Sequence, residues 1–175
     1  ILDTSANYII QNDKNMVSQG QYFNPLTSLY LFPRGEDFSD VAVYERYDDL
    51  SGVNTQYWPY GDLGGVSSQN PYWIMNRMNR ENDRRRYKLA ASLQYNIIEG
   101  LNVQGRVSID NTESKYTEKF HAGTVGNFAG PKGRYKEENR LDRQVYADVL
   151  ANFNKTFNEF NVTANLGASI KDLRM

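Results

Sequence analysis

The sequence predicts an all-β fold: an antiparallel transmembrane β-barrel segment of about four or five strands, with long extracellular loops. Three observations lead there. Four runs in the second half alternate apolar and polar residues with a period of two, the signature of strands with one apolar face. The connections between these runs are alternately short and long. Only 39% of the 175 residues are hydrophobic, while aromatics reach 13% with thirteen Tyr, a balance unlike that of a helical bundle or of a disordered chain, which is poor in aromatics.

Taken in order, residues 1–10 alternate as Leu2, Thr4, Ala6, Tyr8 and Ile10 against polar or small neighbours, and read as the end of a strand. Residues 11–83 show turn chemistry (Asn24-Pro25, Phe32-Pro33-Arg34-Gly35, Trp58-Pro59-Tyr60-Gly61, Asn70-Pro71) with many aromatics and little periodicity, as expected of one long folded surface loop with short elements of its own. Residues 84–110 form a hairpin. Tyr87, Leu89, Ala91, Leu93, Tyr95 and Ile97 share one face, and after a connection at 98–100 so do Leu101, Val103, Gly105, Val107 and Ile109; Gly100 supplies the positive φ of the turn. Residues 111–140 lack periodicity and carry Gly123, Gly126, Gly130, Pro131 and Gly133, which predicts a second long loop, of a length that compact domains keep for function. Residues 141–175 repeat the hairpin, with Val145, Ala147, Val149, Ala151 and Phe153 followed, after a turn at 154–159, by Phe160, Val162, Ala164, Leu166, Ala168 and Ile170. The alternation persists to the last residues and residue 1 is Ile, so both ends read as cuts through strands of a longer barrel domain.

Strand length favours a membrane. Apolar faces of roughly 9–11 residues, tilted by about 45°, cover about 23 Å, close to the roughly 25 Å apolar band of an outer-membrane barrel, whereas soluble strands average about 5–6 residues. Short turns would mark the periplasmic side and long loops the extracellular side. Tyr95, Phe153, Phe157 and Phe160 cluster at the short turns, where an interfacial aromatic girdle belongs. The alternative is a soluble β-sandwich glycan-binding module, whose strands alternate in the same way. A polar face rich in Asn, Gln, Ser and Thr fits a barrel lumen better than a charged solvent face.

Several function classes drop out. The net charge of −1 gives no basic footprint for nucleic acid, and without cysteine there is no disulfide framework or thiol catalyst. No run of about 18 apolar residues could form a membrane helix, which leaves a barrel untouched. The single His121 has no second His or Cys to share a transition metal, and Asp37, Asp40, Asp48 and Asp49 do not have the spacing of an EF-hand loop, so no metal site is expected. No nucleophile elbow, phosphate loop or dinucleotide fingerprint is present; no enzyme and no cofactor are expected.

Tyr22-Phe23-Asn24-Pro25-Leu26, Leu29-Tyr30-Leu31-Phe32-Pro33-Arg34-Gly35, Asn70-Pro71-Tyr72-Trp73 with Asn76-Arg77, the strand from Arg85, Gly100-Leu101 into Gly105-Arg106 and Asp110, and Asn154-Lys155-Thr156-Phe157 with Leu166-Gly167 follow one another in an order that resembles the SusC/RagA family of TonB-linked outer-membrane transporters. The resemblance spans nearly the whole chain, as a mid-barrel segment of a several-fold longer protein. It implies TonB-dependent import of a bulky nutrient, an oligosaccharide or a peptide, across the bacterial outer membrane with a SusD-like surface lipoprotein as lid. Plug and TonB contact would lie in parts of such a protein outside this chain.

Within that frame the loop aromatics Tyr57, Trp58, Tyr60, Tyr72 and Trp73 are the candidates for substrate or partner contact, since rings stack on sugars and anchor interfaces; packing the loop onto itself is the competing role. Gln94, Asn96, Gln104, Arg106, Gln144 and Asp148 are expected to face the lumen. Arg84, Arg85 and Arg86, at the outer end of a strand, suit lipopolysaccharide phosphates or a solvated terminus.

Overall fold

The structure, a computed structural model, describes residues 1–18, 20, 22–60 and 69–175. Gly61 of the Trp58–Gly61 turn, with the rest of residues 61–68, lies outside the described residues. The fold is mostly antiparallel β. A five-stranded sheet has the order β1 (Leu2–Asp13), β2 (Met78–Ile98), β3 (Leu101–Phe120), β4 (Arg134–Phe157) and β5 (Phe160–Arg174), all neighbours in sequence order. A second sheet is the hairpin βA (Glu45–Asp48) and βB (Val53–Gln56). Two short helices, α1 (Pro25–Tyr30) and α2 (Pro71–Arg77), and a 3₁₀ turn at Phe38–Ala42 complete the described elements.

The chain divides into two compact units. The first comprises residues 1–11, 84–114 and 139–175. Its sheet keeps the two faces apart as the alternation requires. Arg86 pairs with Asp110, Arg106 with Asp148 and Asn152 with Asn102, all from the polar positions of their strands. In the β4–β5 ladder Asp148 stands opposite Ser169 and Val149 opposite Ala168, so polar meets polar and apolar meets apolar. The apolar face is open: Leu2, Tyr8, Leu93, Tyr95, Leu166 and Ile170 are all more than half exposed. No hydrophobic residue of this unit is buried; among the described residues the buried ones (Val41, Trp73, Ile74, Met78, Phe120, Ala129) belong to the other unit. The sheet does not close on itself, and β1 and β5 are its two edges.

The hairpin turns are tighter than the sequence suggests. Gly100 adopts φ +84°, and a Cβ there would strike the Asn154 carbonyl oxygen, so the position accepts only glycine without a backbone shift. At the second turn β4 continues through Phe157, which pairs with Phe160, leaving Asn158 and Glu159 as the whole connection rather than residues 154–159. Asn158 takes φ +49°, a conformation Asn tolerates better than most side chains.

The second unit comprises residues 12–83 and 115–138. Here the structure departs from the expected 111–140 loop. β3 runs on to Phe120 and β4 begins at Arg134, so the connection is residues 121–133. These strand extensions carry polar residues on both faces and are tied by ion pairs: Lys115–Glu137 at 3.2 Å, Arg80–Glu118 at 3.0 Å, Arg134–Glu118 at 3.2 Å. A hydrophobic period cannot reveal a strand held this way. The Asn-Pro pairs also have a more specific role than turns. Asn24 and Asn70 are N-caps, accepting from the backbone of Leu26 (3.0 Å) and Tyr72 (2.8 Å), and the following Pro opens each helix where no N–H is needed.

A small core of Trp73, Ile74, Met78, Phe120 and Ala129, flanked by Phe23, Tyr44 and Phe128, holds this unit together. Trp73 is its largest member and donates its indole N–H to Thr124 Oγ1 at 3.2 Å. Trp73→Ala is therefore expected to cost about 3–5 kcal/mol, the usual range for truncating a buried aromatic. Near-UV circular dichroism through a thermal melt checks this, and an unchanged melt would mean that the core does not rest on Trp73.

Candidate functional site

Two surfaces offer polar chemistry, one in each unit. On the polar face of the five-stranded sheet, period-two alternation brings Gln94, Asn96, Gln104, Arg106, Gln144 and Asp148 to the same side, anchored by the Arg106–Asp148 pair at 3.0 Å. Small side chains (Ser5, Ala90, Ser92, Ser108) floor a shallow concavity of about 410 Å³ there, with Asp3, Lys88, Arg106 and Tyr146 around it. Arg86 of the Arg84–Arg86 run is engaged with Asp110, its Nε at 2.8 Å.

The loop aromatics separate into three situations. Trp73 is 1% exposed and is a core residue, so it is not a surface platform for a ligand or partner; its indole is committed to Thr124. Tyr72 stacks on Tyr44 with ring centroids 6.4 Å apart, and the Arg46 guanidinium lies 3.4 Å from the centre of the Tyr57 ring. Trp58 and Tyr60 meet edge to face at 5.3 Å, and Phe32 extends the group to Phe38, with 4.8 Å to Tyr60 and 5.6 Å to Phe38. Of the five expected contact residues, Tyr57, Trp58, Tyr60 and Tyr72 are partly exposed and each packs against another ring or a guanidinium.

A second site, in the unit of residues 12–83 and 115–138, was not singled out by the sequence. βA, βB, the end of α2 and the start of the 121–133 connection enclose a recess of about 490 Å³. Arg77, in the last turn of α2, reaches Glu45 of βA through two bonds of 2.8 Å, from Nε and Nη2. Asn54 on βB donates to the same carboxylate at 3.4 Å. His121 is fixed by its backbone N–H on the Arg77 carbonyl at 2.9 Å, while Thr124 closes the turn back onto the His121 carbonyl. The hairpin is seated close by through Gly123: at φ +86° it lies so near the Asn54 carbonyl that a side chain would collide, and its own carbonyl accepts from Gln56. The Arg77 hydrogen bonds hold the Glu45 carboxyl below its ordinary value, helped by the charges of Arg77 and His121 and by Asn54, against the opposing effect of burial. Arg77 and Glu45 lie thirty-two residues apart, so no local period could have joined them; only the acid–base identity of each was legible.

Among the described residues no group of His, Cys, Asp and Glu is arranged to hold a metal ion. No protein-family model matches the chain, and no curated protein is similar to it.

The ion pair fixes a pH dependence. A carboxyl lowered in the folded state contributes stability that is complete above its unfolded value, 4.5 for Glu45, and is lost as pH falls through the folded value. Acidification below that point should loosen βA from α2 first, and Glu45→Gln should flatten the acid limb of the stability profile. Chemical denaturation of both proteins over a pH series checks this; superimposable acid limbs would mean the pair does not couple to folding.

Proposed function

We propose that this chain forms part of the wall and loops of a bacterial outer-membrane β-barrel, a TonB-dependent importer of the SusC/RagA kind that takes up an oligosaccharide or peptide together with a SusD-like surface lipoprotein. One observation carries the reading: a sheet of strands 12 to 24 residues long turns an exposed apolar face outward, buries no hydrophobic residue of its own unit and leaves both edges unpaired. Water penalises such a face, whereas lipid accepts it, and further strands of a barrel would take the two edges. On this reading Leu89, Leu93, Val103, Val107, Val149, Val162 and Leu166 meet lipid. Gln94, Gln104 and Asp148 line the lumen, and the exposed rings of Tyr95, Phe157 and Phe160 sit at the interface beside the short periplasmic turns. The Phe32–Phe38–Trp58–Tyr60 group suits a partner on the extracellular side. TonB would act through parts of the longer protein that are not in this chain.

A soluble β-sandwich would need a second sheet over the apolar face. Among the described residues the other sheet consists of two four-residue strands, too small for that task. Arg in place of Leu93 or Val149, near mid-membrane, should cost about 2–4 kcal/mol of folding into a bilayer, while Arg at Gln104 is tolerated. Reversible folding of the longer barrel protein that carries these strands, into lipid vesicles, measures both. Equal penalties on the two faces, or a chain that stays folded and soluble without detergent, would remove the importer reading.

A further inference from the structure

The five-stranded sheet treats the arginines of its two faces differently. On the polar face Arg86 is neutralised by Asp110 and Arg106 by Asp148, each across to the neighbouring strand. On the apolar face, at the end of the sheet where β2 and β4 begin and β5 finishes, cations are left over. The β4–β5 ladder sets Arg143 directly opposite Arg174, with Val145 opposite Asp172 and Ala147 opposite Ile170 next on the same face. Directly opposed residues have Cβ atoms about 4.5–5.5 Å apart, and like charges there are destabilising. Arg174 reaches along its own strand to Asp172 at 3.0 Å. Arg143 is exposed and has no carboxylate within ion-pair distance among the described residues. Arg85 is in the same position on β2. Its neighbour Arg86 pairs on the polar face, so Arg85 stands with Tyr87 and Leu89 on the apolar one, exposed and likewise without an ion pair.

Below Arg143, about 13 Å along the strand at 3.3 Å per residue, the same two strands turn from charge to small apolar residues. Ala147, Val149, Ala168 and Ile170, with Asp148 and Ser169, line a shallow groove of about 360 Å³. A free anion would use the arginines and leave the groove empty, and a plain hydrocarbon would do the reverse. An amphiphile with an anionic head uses both. Paired guanidiniums suit a phosphate in particular, since each presents parallel N–H donors to its oxygens and the phosphate charge removes the repulsion between them.

We propose that Arg143 and Arg174 clamp a phosphate of a membrane lipid whose acyl chain lies in the groove at Ala147 and Ala168, with Arg85 as a further contact from β2. The proposal rests on the importer reading for the bilayer and for its sidedness: the long loops lie at this end of the strands, so the lipid is the phosphorylated glucosamine lipid of the outer leaflet, lipid A. Of the Arg84–Arg86 run only Arg85 serves it, because Arg86 is committed to Asp110 and Arg84 falls on the polar face with it.

The test uses the longer barrel protein that carries these strands, in an uncharged detergent, with lipid binding followed by native mass spectrometry. The probes are bisphosphorylated lipid A, the same lipid stripped of its phosphates, and inorganic phosphate. Saturable binding of the phosphorylated lipid is expected, about tenfold or more weaker without its phosphates, with inorganic phosphate a poor competitor. Arg143→Gln with Arg174→Gln should weaken it about tenfold, Arg143→Glu, which gives Arg174 an ion-pair partner, should abolish it, and Arg84→Gln should leave it unchanged. Heat-modifiable migration on gels confirms that each variant is a folded barrel; Arg85→Gln with Arg143→Gln replaces any that is not. Equal binding of the two lipids, inorganic phosphate competing as well as lipid A, or binding that the folded Arg143 and Arg174 variants leave intact would overturn the proposal. Insertion into bilayers separates the two readings. A protein that inserts and shows no preference for the phosphorylated lipid loses this site and keeps the barrel, and one that binds it through Arg143 yet stays soluble without detergent keeps the site and loses the importer.

Discussion

A sheet that sorts its apolar residues to one face and its ion pairs to the other cannot build a core from itself. That constraint governs the unit of residues 1–11, 84–114 and 139–175. Its strands are paired through the backbone, as in the continuous ladder from Arg143–Arg174 to Phe157–Phe160, and its polar face is stitched by Arg86–Asp110 and Arg106–Asp148. Neither arrangement removes Leu93, Leu166 or Ile170 from the surroundings. The hydrophobic effect, the largest favourable term in folding, has no purchase here until something outside the unit covers that face. The environment of the apolar face is thus part of what the sequence specifies.

The other unit solves the opposite problem, how a stretch with little periodicity becomes ordered. Its answer is a few buried polar groups, each tied to at least one partner, around a small aromatic core. The buried Asn70 caps α2 through its side-chain oxygen, donates from its amide to the carbonyls of Val41 and Tyr57, and donates its backbone N–H to Gln56 Oε1, so one residue ties α2 to the 3₁₀ turn and to the end of βB. Arg80 lies between the Phe23 and Phe120 rings, 4.4 and 4.9 Å from their centres, and pairs with Glu118, itself bonded by Tyr116. Groups so buried are costly unless partnered, and removing one partner leaves the other stranded, which is why such sites fix geometry more than they add stability.

The legible part of the fold was the part governed by period two. Tyr87 to Ile97, Leu101 to Ile109, Val145 to Phe153 and Phe160 to Ile170 all lie in strands of one sheet, and the polar positions between them make the cross-strand pairs. Hidden were the segments whose order comes from charge or caps. Glu118 and Lys119 look like loop residues by hydropathy, yet they are strand residues, with Arg80 and Arg134 paired to Glu118 and Glu81 to Lys119. Asn24-Pro25 and Asn70-Pro71 contain the helix signal, but a polar cap followed by proline also opens a turn, and helices of six and seven residues are too short to show a 3.6 period. The recess lay deeper still. Tyr47 and Glu45 of βA, Arg77 of α2 and His121 of the 121–133 connection come from three separate parts of the chain, and their meeting depends on Gly123 seating the hairpin, a contact between backbones that leaves no trace in side-chain pattern.

The ion pairs divide by burial, and with it by what they do. On the sheet, Arg86 and Arg106 have about half of their side-chain surface exposed, and in water such pairs are worth only about 0–1 kcal/mol, so they set face and register more than they bind strands together. Arg80–Glu118, less than a tenth exposed on either side chain, locks the strand extensions beside the aromatic core. Glu45–Arg77 is intermediate, at 23% and 30%: buried enough that its members stay together, exposed enough that their outer edges face the recess. A fully buried pair would offer nothing to a ligand, and a fully exposed one would hold no fixed geometry. The intermediate burial gives this pair a fixed, net-neutral and directional hydrogen-bonding edge, unlike the exposed sheet pairs or the buried Arg80–Glu118.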